Sequence, residues 1–136
     1  VWDAALWGMG FYRDPKPIEP VPAGWSYPNP RERVDLSKPS VCWINHTTCL
    51  LSIDGVHILT DPIWNTRCSP TSWLGPRRRH APPVALDQLP KIDYVLLSHD
   101  HYDHLDKPTI LKLAKLFPNC YFFVPLGVER WFHKHG

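Results

Sequence analysis

Residues 99–104 read His-Asp-His-Tyr-Asp-His and follow the apolar run Tyr94-Val95-Leu96-Leu97 through a single Ser98. Three imidazoles and a carboxylate at the spacing H-x-H-x-D-H are too dense for core packing or for a solvated charged face, and they describe a metal-binding loop at the end of a buried strand. Imidazole nitrogen and carboxylate oxygen without thiolate suit zinc, ahead of iron or manganese. One short loop cannot wrap all of its donors around a single ion. His99 and His101, two apart on extended chain, point the same way and can share one cation, whereas Asp103 and His104 lie further along and can reach a second. Two adjacent cations form a clamp suited to hydrolysis.

The flanking sequence supplies the scaffold. Residues 92–98 are apolar almost throughout, which predicts a strand buried on both faces. After the loop, Pro108 is well placed as a first helical residue, and Ile110, Leu113, Ala114 and Phe117 recur at i, i+3, i+4 and i+7, one apolar face to cover a sheet. Pro118 closes that helix, residues 120–124 read as a strand, and residues 128–134 as a short helix. Upstream, residues 41–44 and 49–53 read as strands, and the two-residue turn Asp54-Gly55 leads into a third over 56–59, an antiparallel meander. Pro62 stops that strand and leaves Asp61 at its carboxyl edge, either to orient a ligating imidazole through its second nitrogen or as a plain turn carboxylate. His46 stands outside the metal motif and reads as a hydrogen-bonded loop residue near the site rather than a ligand.

Several stretches together carry a resemblance: Trp43-Ile44-Asn45-His46-Thr47-Thr48, Leu59-Thr60-Asp61-Pro62-Ile63, Arg67-Cys68-Ser69-Pro70, Leu74-Gly75-Pro76-Arg77-Arg78, Leu89-Pro90-Lys91-Ile92-Asp93, the loop itself, and Phe123-Val124-Pro125-Leu126-Gly127. Across residues 41–127 the chain resembles the metallo-β-lactamase superfamily, and within it the phospholipases D that hydrolyse N-acyl-phosphatidylethanolamine. The resemblance implies an α/β (α+β) fold, the αββα sandwich, present here as roughly its N-terminal half over residues 41–136. It also implies two zinc ions in the complete domain, with His99 and His101 on one and Asp103 and His104 on the other, and a phospholipid-contacting role for Tyr102. The implied reaction yields N-acylethanolamine and phosphatidic acid, with a lactonase-like or other hydrolase of the superfamily as the alternative. The family's remaining ligands, a third His, a bridging carboxylate and a final His, lie further along the chain and have no match here, so these residues alone are expected to bind fewer than two zinc ions and to be inactive. Where the family has Gly before His46 this chain has Asn45, which is expected to take the unusual backbone angle.

The rest of the chain bounds the setting. Residues 1–40 form a proline-interrupted arm in which Trp2, Trp7, Phe11, Tyr12, Trp25 and Tyr27 either pack across the sandwich or meet a membrane interface. Residues 64–92 make a long connection whose run Arg77-Arg78-Arg79-His80 either contacts a phosphate or an anionic surface or is simply solvated. Cys42, Cys49, Cys68 and Cys120 show no C-x-x-C spacing, which argues against a structural zinc site and fits an intracellular, cytoplasmic or peripheral membrane setting, with Cys42 and Cys49 as small buried hydrophobes. A net charge of +2 gives no case for nucleic acid, and no stretch has the length of a membrane span. Half a sandwich would leave an apolar sheet face open, so self-association, a homodimer included, is expected.

Overall fold

The computed structural model describes residues 35–71, 73–75, 77, 78 and 80–135. The aromatic residues of the N-terminal arm, from Trp2 to Tyr27, fall outside these. Strand β1 (Ser40–Asn45) pairs antiparallel with β2 (Thr48–Ile53), and their alternating burial turns one face of each inward. Asp54 (φ 50°) and Gly55 (φ 79°) form the hairpin turn into β3 (Val56–Thr60), since two left-handed residues give a turn whose twist matches that of the strands. Strands β4 (Tyr94–Leu96) and β5 (Tyr121–Phe123) then add in parallel, completing a five-stranded sheet in the order β1-β2-β3-β4-β5. Helix α1 (Lys107–Leu116) links β4 to β5, and α2 (Glu129–His135) follows β5. The β3–β4 crossover carries only a 3-10 turn at Leu86–Gln88 and an isolated bridge between Arg67 and Arg77.

The inner sheet face supplies Ile44, Leu50, Leu59 and Val95 to the core, against Ile110 and Leu113 of α1 and Val84, Leu86, Leu89 and Ile92 of the crossover. The buried stripe of α1 is Thr109, Ile110 and Leu113, whereas Ala114, placed on that face by periodicity, is exposed. The helix is rotated so that the Thr109 hydroxyl can accept from the Trp64 amide at 2.9 Å and donate to the Asp106 carboxylate. A polar residue so paired is buried at little cost.

Strand β4 is shorter than expected and is not buried on both faces: Val95 is buried, but Tyr94 is half-buried and Leu96 exposed. Tyr94 and Leu96 share the outer face with Tyr121 and Phe123 of β5 and, through the register, with Ile58, Leu51, Val41 and Trp43. The row from Val41 through Leu51, Ile58 and Tyr94 to Tyr121 is apolar from edge to edge, Thr60 interrupts the neighbouring row beside Leu96, and Val41, Trp43, Tyr121 and Phe123 are more than half exposed. The four cysteines are half-buried free thiols, and burial pushes Cys120 up to about 11, so it remains neutral. No helix among the described residues is long and apolar enough to cross a membrane.

Asp93 fastens β3, β4 and β5 just before β4 begins. Its carboxylate accepts from the His57 amide at 3.0 Å, its amide donates to His57 O at 2.9 Å, and its carbonyl accepts from the Tyr121 amide at 3.0 Å. The His57 amide and then the Lys91 ammonium hold its carboxyl below the usual range. A depressed carboxyl stabilises the fold above its unfolded pKa, about 3.9, and the contribution disappears as pH falls through the lower folded value. Asp93→Asn should therefore cost about 1 kcal/mol at neutral pH, a difference that closes in strong acid when unfolding midpoints are compared across pH. Leu59→Ala, at a fully buried site, should cost about 2–5 kcal/mol in denaturant titration.

Candidate metal centre

Parallel strands β3 and β4 end at the same rim of the sheet, the place where α/β sheets gather ligands. The β1–β2 turn is joined to that rim by hydrogen bonds. The Thr60 hydroxyl donates to Thr47 O (2.8 Å) and accepts from the Cys49 amide (2.9 Å), and the Thr48 hydroxyl donates to Asp61 O (2.6 Å). Asp61, the first residue past β3, is 6% exposed and has a left-handed backbone (φ 35°). Its Oδ1 accepts from the Ser98 amide (2.8 Å), and its Oδ2 accepts from the Ser98 hydroxyl (2.8 Å) and from His104 Nδ1 (2.9 Å). Burial pushes the Asp61 carboxyl up, but the bonds from the Ser98 amide, His104 and the Ser98 hydroxyl together outweigh it, and the group stays ionised below the usual range. With its proton on Nδ1 toward Asp61, His104 keeps its lone pair on Nε2. That atom faces Asp103 Oδ2 at 3.6 Å.

The loop brings its donors together in two neighbouring sets. His99 Nε2 lies 3.1 Å from His101 Nδ1. Asp103 and His104 gather with His46, one donor atom from each residue lying within 4.8 Å of the others. The sets adjoin, because the His99 and His104 ring centroids are 3.9 Å apart. Donors on a tetrahedral zinc with bonds of 2.0–2.1 Å are about 3.3 Å apart. The spacings of 3.1 Å and 3.6 Å lie on either side of that figure, so the donor set fits a cation in both chemistry and spacing. Tyr102, between the sets, is 55% exposed.

Three features of the site are not apparent from the motif. Ser98, a mere spacer in the sequence pattern, donates to both oxygens of Asp61, and its hydroxyl also reaches His99 Nδ1 at 2.9 Å. The left-handed angle expected at Asn45 falls instead at His46 (φ 38°), because Asn45 still pairs with Thr48 as the last residue of β1 and its amide side chain donates to Ile63 O (3.2 Å). Arg78 is not simply solvated. Its guanidinium turns inward to Asn65 O (2.6 Å) and Ile63 O (3.1 Å) and helps to line a cavity of about 260 Å³ together with His46, Trp43, Ile44 and Ile63.

A mixed sheet with histidines and aspartates gathered at its rim defines a metal-site α/β fold of the metallo-β-lactamase kind. Residues 57–136 match the beta-lactamase superfamily domain, and the chain belongs to that superfamily, whose fold its five-stranded sheet fits as an N-terminal part. It is 49% identical over 121 residues to an uncharacterized protein of Mycobacterium tuberculosis, a match covering 89% of this chain and 32% of the relative. It is 44% identical over 94 residues to N-acyl-phosphatidylethanolamine-hydrolyzing phospholipase D 1 of Caenorhabditis elegans, covering 69% of this chain and 26% of that protein. A metal-dependent hydrolase of Sulfurisphaera tokodaii is 29% identical over 94 residues, covering 68% and 35% respectively. The chain thus spans roughly a quarter to a third of the length of these relatives.

Asp61→Asn tests whether the carboxylate orients His104. The substitution keeps the shape but removes the charge that fixes the tautomer, and metal affinity should fall about 10- to 100-fold, measured by competition with a chromogenic chelator.

Proposed function

We propose that this chain supplies one side of a dinuclear zinc centre in a phosphodiesterase that cleaves N-acyl-phosphatidylethanolamine into N-acylethanolamine and phosphatidic acid. The observation that carries the reading is the pair of adjoining donor sets, His99 with His101 and Asp103 with His104, the second backed by Asp61. The lipid is favoured by the likeness to the C. elegans phospholipase D and by the cavity beside His46, where Arg78 offers positive charge next to the apolar side chains of Trp43, Ile44 and Ile63. An anionic phosphodiester with adjoining acyl chains matches that combination of charge and apolar wall.

In this reading His99, His101, Asp103 and His104 hold the cations, and Asp61 keeps the His104 proton on Nδ1. Cations held there supply Lewis acidity and bring the pKa of water toward neutrality. Tyr102, exposed between the donor sets, contacts the lipid headgroup, and Arg78 draws the phosphate toward the rim. Action at a lipid surface follows from such a substrate. A different ester, a lactone for instance, is the second reading; the likeness to the S. tokodaii metal-dependent hydrolase supports metal-dependent hydrolysis without a particular substrate.

The test is the complete domain that contains this chain, zinc-loaded and incubated with N-acyl-phosphatidylethanolamine in mixed micelles. Both products should appear in equal amounts, chelation should abolish their release, and His101→Ala should lower zinc content and turnover together. Hydrolysis of lactones with no cleavage of the phospholipid would replace the substrate assignment. Full zinc content in His101→Ala would remove His101 from the ligand set.

A further inference from the structure

Asp103 and His104 are consecutive, and each is held by one residue from a different strand end: His104 by Asp61 past β3, and Asp103 by His46 past β1. Both holders have left-handed backbone, φ 35° at Asp61 and φ 38° at His46. Such angles on residues other than glycine cost roughly 1–3 kcal/mol and persist only where the surroundings over-determine them. Around His46 they do. The Trp43 indole donates to His46 O at 2.9 Å, the Thr60 hydroxyl donates to Thr47 O at 2.8 Å, and Ile44 bulges out of the β1–β2 register just before the turn.

The His46 side chain so placed is 53% exposed, and what it contributes is a polar contact rather than apolar burial. His46 Nε2 lies 3.1 Å from Asp103 Oδ2 and is the carboxylate's one hydrogen-bond partner among the described residues. His104 Nε2, at 3.6 Å, stands beyond hydrogen-bond reach of the same oxygen. Without His46 the Asp103 carboxylate, itself 42% exposed, would be free to rotate.

We infer that His46 is a positioning residue for the second cation: its Nε2–H fixes the Asp103 carboxylate so that Asp103 and His104 address one ion, as Asp61 fixes His104. The inference rests on the dinuclear reading above. In the inferred role the nitrogen that faces Asp103 carries the proton and offers no lone pair to a cation, which sets it apart from the ligand role that its place beside Asp103 and His104 would also allow. The β1–β2 turn thereby belongs to the metal site without containing a ligand.

Cobalt titration of the complete domain that contains this chain, wild type against His46→Gly and His46→Gln, tests this. Glycine accepts the left-handed backbone, so the metal-free melting temperature of His46→Gly should not fall, while affinity for the second Co²⁺ should drop about 10- to 100-fold. Glutamine returns an N–H donor at similar reach but is a poor ligand, so His46→Gln should recover most of the affinity with the wild-type visible spectrum at saturation. Unchanged affinity in His46→Gly would overturn the inference while leaving the dinuclear reading intact. A His46→Gln protein as weak as His46→Gly, with an altered Co²⁺ spectrum, would make His46 a ligand and overturn it too. Failure of wild type to take up Co²⁺ at all would remove both readings.

Discussion

A single carboxylate, that of Asp61, joins the sheet to the histidine loop. A buried charge of this kind is destabilising unless its oxygens are paired, and here the Ser98 amide, the Ser98 hydroxyl and His104 Nδ1 all donate to it. The pairing depends on strand register. Thr60 lies opposite Leu96, so Asp61 and Ser98 emerge at the rim together, and Asp61 N donates to Leu96 O at 2.9 Å. A slip of one residue would turn every side chain of β4 to the opposite face and carry the loop out of reach. Register between two short parallel strands therefore decides whether the histidines converge.

Much of this was legible in the sequence because it is local. The hairpin turn at Asp54-Gly55, the strand-loop-helix unit around residues 94–116 and the density of donors at 99–104 each announce themselves within a few residues. What escaped depends on contacts that no local pattern marks. The rotation of α1 that exposes Ala114 is set by the Trp64 amide on Thr109, 45 residues away. The left-handed angle fell on His46 instead of Asn45 because Asn45 still pairs with Thr48 in β1, a ladder contact that the amino-acid preference of a single position does not reveal. Ser98 looked like a spacer because its chemistry is exercised on Asp61, across the sheet. The inward turn of Arg78 was not legible because the carbonyls that accept its bonds, those of Asn65 and Ile63, carry no sequence mark.

Strain and function coincide at the rim. Of the described residues other than glycine with positive φ, Asp54 serves the hairpin turn, whereas His46 and Asp61 each hold a residue of the loop. The two are held by side chains that also tie the strands to one another, Thr60 and Thr48 among them. The same hydroxyls therefore maintain the geometry of the donors and the ends of the sheet, and a substitution at either threonine acts on both.

The outer sheet face carries a further consequence. Its apolar side chains run from Val41 and Trp43 across to Tyr121 and Phe123, and Leu96 brings the row up to the end of β4, two residues short of the metal loop. A second sheet laid there would sit about 10 Å away, with its own margin alongside the histidine loop. Under the dinuclear reading proposed above, donor groups arriving from it would grip the cations from across a seam, so that ion occupancy and the closeness of the two layers would rise and fall together. On that reading, prising the layers apart would spill the metal, and stripping the metal would loosen the layers.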